Sequence, residues 1–205
     1  MNFFGHAAIA SHASADAPAL LGAMLPDFAT MCRGRLAEPD DAAIARGIAH
    51  HHATDAAFHE MPAALELMRE LDARLSRAGC ARGPRRAASH VGVELLLDGV
   101  LVIEHGYRAS YTAALACDHA PVRWRDPGDG DRFALLLARL RAHGVPDDLR
   151  QPESITRRLH RMLAHRPLLA PSASDLEAIH RCLVEHQPRV ALAAPAIVAA
   201  LRAED

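Results

Sequence analysis

The chain has 205 residues, half of them apolar and only 4% aromatic, with a net charge of −2 and 14 histidines counted as neutral. That size supports one substantial core, and the near-neutral charge gives no electrostatic case for nucleic acid or an anionic membrane surface. Alanine and leucine dominate and β-branched runs are scarce, which predicts an all-α protein: a single-domain helical bundle of about nine or ten helices.

Apolar periodicity with caps and breakers places helices near residues 2–11, 17–30, 41–60, 62–78, 86–104, 107–117, 130–143, 153–164, 174–186 and 189–203. The first carries His6 in the apolar setting of NFFGHAAIA, and the second meets Pro26 and Asp27 in LLGAMLPDF, where the chain is expected to leave the helix. Asp40 or Asp41 is a cap for the third helix, Pro62 opens the fourth, Gly79 closes it, and Ser172 or Ser174 caps the ninth. The segment 120–131, APVRWRDPGDGD, is the clearest loop and a possible division between helical halves.

Cys32, Cys80, Cys117 and Cys182 are widely spaced, form no CxxC pair, and are expected to be buried or half-buried free thiols. The first residues have no basic run and carry His6 and His12, unlike a secretory leader. The apolar stretches VELLLDGVLVI and ALAAPAIVAAL are interrupted by Glu94 and Asp98 and by Pro195, so no membrane span is expected and the chain reads as cytoplasmic.

The third helix holds GIAHHHATDAAFH, residues 47–59. At about 100° per residue, His51, Asp55, His59 and His52 project at roughly 0°, 40°, 80° and 100°, on one narrow face, with His50 elsewhere. Imidazole nitrogen and carboxylate oxygen at i, i+4 spacing can share a divalent ion. The same stripe is also compatible with a solvent-facing row of histidines. In the fifth helix, HVGVELLLDGVLVIEH, His90, Glu94 and Asp98 fall within an arc of about 80° on an otherwise apolar segment. Buried carboxylates need partners, either a metal and histidines or an arginine such as Arg46 or Arg86. His6, Asp27, His51, Asp55 and Asp98 together make a mixed N/O set suited to Mn²⁺, Fe or Zn²⁺.

At these residues the chain resembles the acyl carrier protein phosphodiesterase family of HD-like helical metal phosphohydrolases. The opening MNFFGHAAIA is similar to the family's MNFLAHLHLA, LLGAMLPDF to its LxGNLLxDF, and Gly47, Ile48, His51 and Asp55 match its GIxxHRxIDxFTD. Arg85, Arg86 and LLLDGVL around Asp98 correspond to an arginine pair and an Asp-His doublet, and RMLAHRPL with DLEAIHRCLVEHQPRV resembles the last pair of helices. The resemblance implies a divalent-metal hydrolase, using Mn²⁺, that releases 4′-phosphopantetheine from holo acyl carrier protein. It implies His6, Asp27, His51, Asp55 and Asp98 as metal ligands or their neighbours, with a nearby arginine offsetting developing charge; Asp55, His52 and Arg86 are the candidate catalytic residues.

The chain departs from that pattern at Gly99, which stands at the doublet's histidine, at His59, which replaces an aspartate, and at leucines that replace aromatics. His52, His59 or His90 is available to replace the missing group, with Glu94 beside them. Arg157, Arg158 and Arg161 form either a ridge for an acidic carrier protein or the charged face of an ordinary surface helix. Two other functions fit the same residues: hydrolysis of a different phosphoester, or non-catalytic binding on the same helical scaffold.

Overall fold

The computed structural model describes residues 1–203. Among these residues nine α-helices follow in order: α1 Phe3–Ala13, α2 Ala17–Cys32, α3 Ala42–Glu60, α4 Pro62–Arg77, α5 Arg82–Leu101, α6 His105–Ala116, α7 Pro127–His143, α8 Pro152–Leu163 and α9 Ala173–Arg202, with a 3₁₀ turn at Asp147–Arg150. The described residues contain no β-strand, only an isolated bridge between Leu36 and Trp124, so the all-α expectation holds. No described helix is long and apolar enough to cross a membrane.

The expected end signals act as anticipated. Oδ1 of Asp41 accepts the amides of Ala43 and Ile44 at 2.8 and 2.9 Å, opening α3. Gly79, at φ 79°, closes α4 as its amide bonds to Ser76 and that of Cys80 to Leu75, the paired pattern of a left-handed helix stop. Ser172 and Asp175 cap α9 reciprocally, each accepting the other's amide.

The largest differences from the sequence reading are at α5 and α9, and α7 begins at Pro127, inside the segment 120–131 that was read as a loop. Helix α5 starts at Arg82 rather than 86, because Pro84 falls in its first turn, where the missing N–H has no intrahelical acceptor. Helix α9 is continuous through Pro188 and Pro195, where two helices had been expected. Both prolines lie on its exposed face, and the residues whose carbonyls they fail to bond, Val184 and Ala191, are exposed as well, within reach of water.

The chain divides into two compact units. The α1 unit comprises 2–57, 101–146 and the residues from Ala200; the α4 unit comprises Met1, 58–100 and 147–199. In the α1 unit, six of the protein's eight aromatic side chains form one chain of contacts. Phe3 meets Phe28 and Tyr111 at 5.5 and 6.1 Å between ring centroids, Phe4 meets Tyr111, and Phe133 links Phe28 to Trp124. These contacts join α1, α2, α6 and α7.

The α4 unit is aliphatic. Leu67, Leu71 and Leu75 line the buried stripe of α4, and Gly92 on α5 lets Leu71, Leu159 and Leu183 close over it. Three of the four free cysteines are buried and Cys117 is half-buried, in line with the expectation for thiols.

Candidate metal centre

Two glycines decide how α2 and α3 meet. A Cβ on Gly47 would stand 2.0 Å from the Ala19 carbonyl oxygen and 2.8 Å from Cα of Gly22; one on Gly22 would stand 2.4 Å from the Ile44 carbonyl oxygen. The helices therefore cross with backbone against backbone, a distance no larger residue allows. One turn beyond Gly47, this crossing brings Nδ1 of His51 to 2.8 Å from the carbonyl oxygen of Ala23.

His51 is buried and therefore donates its Nδ1 proton to Ala23, leaving the Nε2 lone pair available. His6 sits on α1, whose residues Phe3 to Ala10 are all buried, and is itself fully enclosed. Its Nδ1 lies 3.4 Å from Oγ1 of Thr54, whose own hydroxyl donates to the His50 carbonyl at 2.9 Å. Nε2 of His6 has Oδ1 of Asp55 at 3.6 Å. Burial pushes the pKa of His6 down to about 3, against the pull of Asp55, and that of His51 down to about 4. Both rings are neutral at pH 7, the form in which imidazole ligates metals.

Asp27 completes the set. One ligand atom from each of His6, Asp27 and His51 lies within 4.8 Å of the other two, and the two rings are 3.8 Å apart between centroids. Ligand atoms around a tetrahedral Zn²⁺ are about 3.3 Å apart, so modest side-chain rotations suffice to bring all three onto one ion. Asp27 does not mark a helix exit as expected: α2 continues past Pro26 to Cys32, and this continuation keeps the carboxylate on the same rigid element as Gly22 and Ala23.

The remaining sequence candidates lie on α3 and α5. Asp55 is at the rim of the cluster with 36% of its side chain exposed, and His52 is exposed beside His51, ring edge to ring face at 5.4 Å. Asp98 is fully buried on α5 and Arg86 exposed near the start of that helix; both belong to the α4 unit. His59, His90 and Glu94 make a separate group there. Arg46, one of the arginines considered for the buried carboxylates, instead faces Asp16 at 3.6 Å.

Gly99 has a local cause. A Cβ at that position would stand 2.3 Å from the Leu149 carbonyl oxygen, so the doublet's histidine does not fit unless the 3₁₀ turn moves. The arginines of α8 are largely committed within the chain: Arg157 bonds Glu153 at 2.6 Å and Arg158 grips Asp148 with two nitrogens, while Arg161 is exposed.

The sequence reading missed Gly22, the Ala23 carbonyl and Thr54. A glycine in the middle of an apolar helix was the available signal for the first. A groove of about 430 Å³ lined by Arg74, Arg77, Arg181 and Glu185 also went unnoticed, because its arginines come from two distant helices. The chain matches no protein family model, no curated protein and no solved structure.

Proposed function

We propose that His6, Asp27 and His51 hold one divalent cation and that the protein is a metal-dependent phosphodiesterase, with the phosphopantetheinyl ester of an acyl carrier protein as its substrate. The observation that carries the metal reading is the pair of buried, neutral imidazoles beside Asp27, with Nδ1 of His51 tied to the Ala23 carbonyl. Such tethering fixes the ligand tautomer and ring orientation in metal sites. The phosphodiesterase reading rests on the motif resemblance of the first 59 residues.

A bound divalent cation lowers the pKa of water and polarises a phosphoryl oxygen. In this reading Asp55, half in solvent beside His6, accepts the proton of the attacking water as its oxygen bonds phosphorus. The bond from phosphorus to the carrier's serine oxygen breaks, and that oxygen takes a proton from exposed His52, yielding apo carrier and 4′-phosphopantetheine. Mn²⁺ is the ion the resemblance implies, and the N/O ligand set accepts Mn²⁺, Fe²⁺ or Zn²⁺. The exposed face of α8 around Arg161 is the proposed contact for the acidic carrier.

The test is turnover of holo acyl carrier protein, followed by mass spectrometry of the carrier, with bis-p-nitrophenyl phosphate alongside. Protein loaded with Mn²⁺ is expected to convert holo to apo carrier, and Asp55→Asn to lose about 100-fold or more in kcat while keeping its metal. Metal-loaded wild type that hydrolyses neither compound overturns the phosphodiesterase reading. Hydrolysis of the small diester alone would retain a phosphodiesterase and reject the carrier.

A further inference from the structure

The second cluster lies wholly within the α4 unit and is built from two helices. His90 and Glu94 are one turn apart on α5, and His59 stands on the final turn of α3. Their side chains converge on a single atom: Oε1 of Glu94 is 3.0 Å from Nε2 of His90 and 3.6 Å from Nε2 of His59. One ligand atom from each lies within 4.8 Å of the other two, and the two imidazole centroids are 4.7 Å apart.

The surroundings distinguish this group from a chance surface pair. Glu94 has only 12% of its side chain exposed, on a helix whose residues from Gly92 to Gly99 are all buried. The N-terminal nitrogen of Met1 is a further neighbour, 3.7 Å from the same Oε1. The two histidines are 30% and 49% exposed, which leaves one side of the cluster open to water.

We propose that His59, His90 and Glu94 form a second divalent-cation site, of the two-histidine, one-carboxylate type, suited to Zn²⁺ with water in the open position. Two imidazole nitrogens and one carboxylate oxygen are a ligand set that Zn²⁺ takes readily, and an i, i+4 pair on one helix with a third ligand from another is a common way to build it. The ion would clamp the last turn of α3 to the middle of α5, so its occupancy stabilises this unit. The site is independent of the His6–Asp27–His51 reading: it shares no ligand with that centre and lies in the other unit.

Zn²⁺ titration of chelator-stripped full-length protein, against a chromophoric competitor, tests the assignment. Wild type is expected to take two equivalents. His90→Ala and Glu94→Gln should each lose one, with affinity at that site weakened at least about 100-fold, and should lose part of the Zn²⁺-induced rise in Tm. His51→Gln should lose only the other equivalent. If His90→Ala and Glu94→Gln, shown folded by circular dichroism, bind as much Zn²⁺ as tightly as wild type, the second site is wrong. If instead only His51→Gln binds normally, the first centre fails and the second stands.

Discussion

Gly47→Ala is expected to loosen the fold and empty the metal centre together. The added methyl would overlap three backbone atoms, the Ala19 oxygen at 2.0 Å, the Ala23 nitrogen at 2.7 Å and the Gly22 Cα at 2.8 Å, and no rotamer change relieves contacts with main chain. Replacing a mid-helix glycine by alanine normally gains about 1 kcal/mol. Overpacking against rigid backbone costs about 3 kcal/mol or more, so the clash wins and a net loss of about 2 kcal/mol should appear in urea unfolding. As α3 moves away from α2, the 2.8 Å tether from His51 to Ala23 lengthens, and metal affinity is expected to fall at least about 10-fold. Ala49→Gly, at an exposed position on the same helix, is the control: it should cost about 1 kcal/mol through propensity alone and leave metal binding intact. A Gly47→Ala protein as stable as wild type would show that the close helix crossing is not what the chain requires.

The metal-free protein is expected to lose stability steadily as pH falls below 6.5. In the unfolded chain both imidazoles titrate near 6.5, whereas burial holds the folded values at about 3 for His6 and about 4 for His51. Above 6.5 neither state is protonated and the two histidines contribute no pH dependence. Below 6.5 the unfolded chain binds more protons, so each histidine removes about 1.4 kcal/mol per pH unit, His51 until about pH 4 and His6 until about pH 3. Urea unfolding between pH 7 and 5 on chelator-treated wild type and His51→Gln checks this, since the difference between the two curves cancels the common carboxylate background. The variant should retain about half of the histidine slope; parallel curves would mean that His51 is solvated when the metal is absent.

The helices were legible because their signals are local. Asp41, Pro62, Gly79 and Ser172 terminate or open helices through bonds within a few residues, and alanine-rich segments between them leave little choice of structure. Pro188 and Pro195 misled because a proline's effect depends on whether its orphaned carbonyl meets water, which is set by the face it occupies in the finished fold. The candidate site was legible in part for a similar reason. Helical spacing correctly put His51 and Asp55 on one side of α3, and an imidazole inside the apolar run of α1 marked His6. It could not separate His52 from His51, since an offset of about 100° is the difference between the solvent and the α2 interface. Nor could any one-dimensional pattern reveal that the carbonyl of Ala23 sets the His51 tautomer, because this partner arrives through the crossing that Gly22 and Gly47 permit.

The most direct test of the first centre is metal content by plasma mass spectrometry, on protein purified without an affinity tag or chelator, beside His51→Gln and Glu94→Gln. A centre built on His6, Asp27 and His51 predicts that wild type carries one equivalent of Mn, Fe or Zn more than His51→Gln, and that Glu94→Gln retains that equivalent. Equal metal in wild type and His51→Gln, with Mn²⁺ raising the Tm of both alike, would contradict it and leave the three residues a buried polar cluster without an ion.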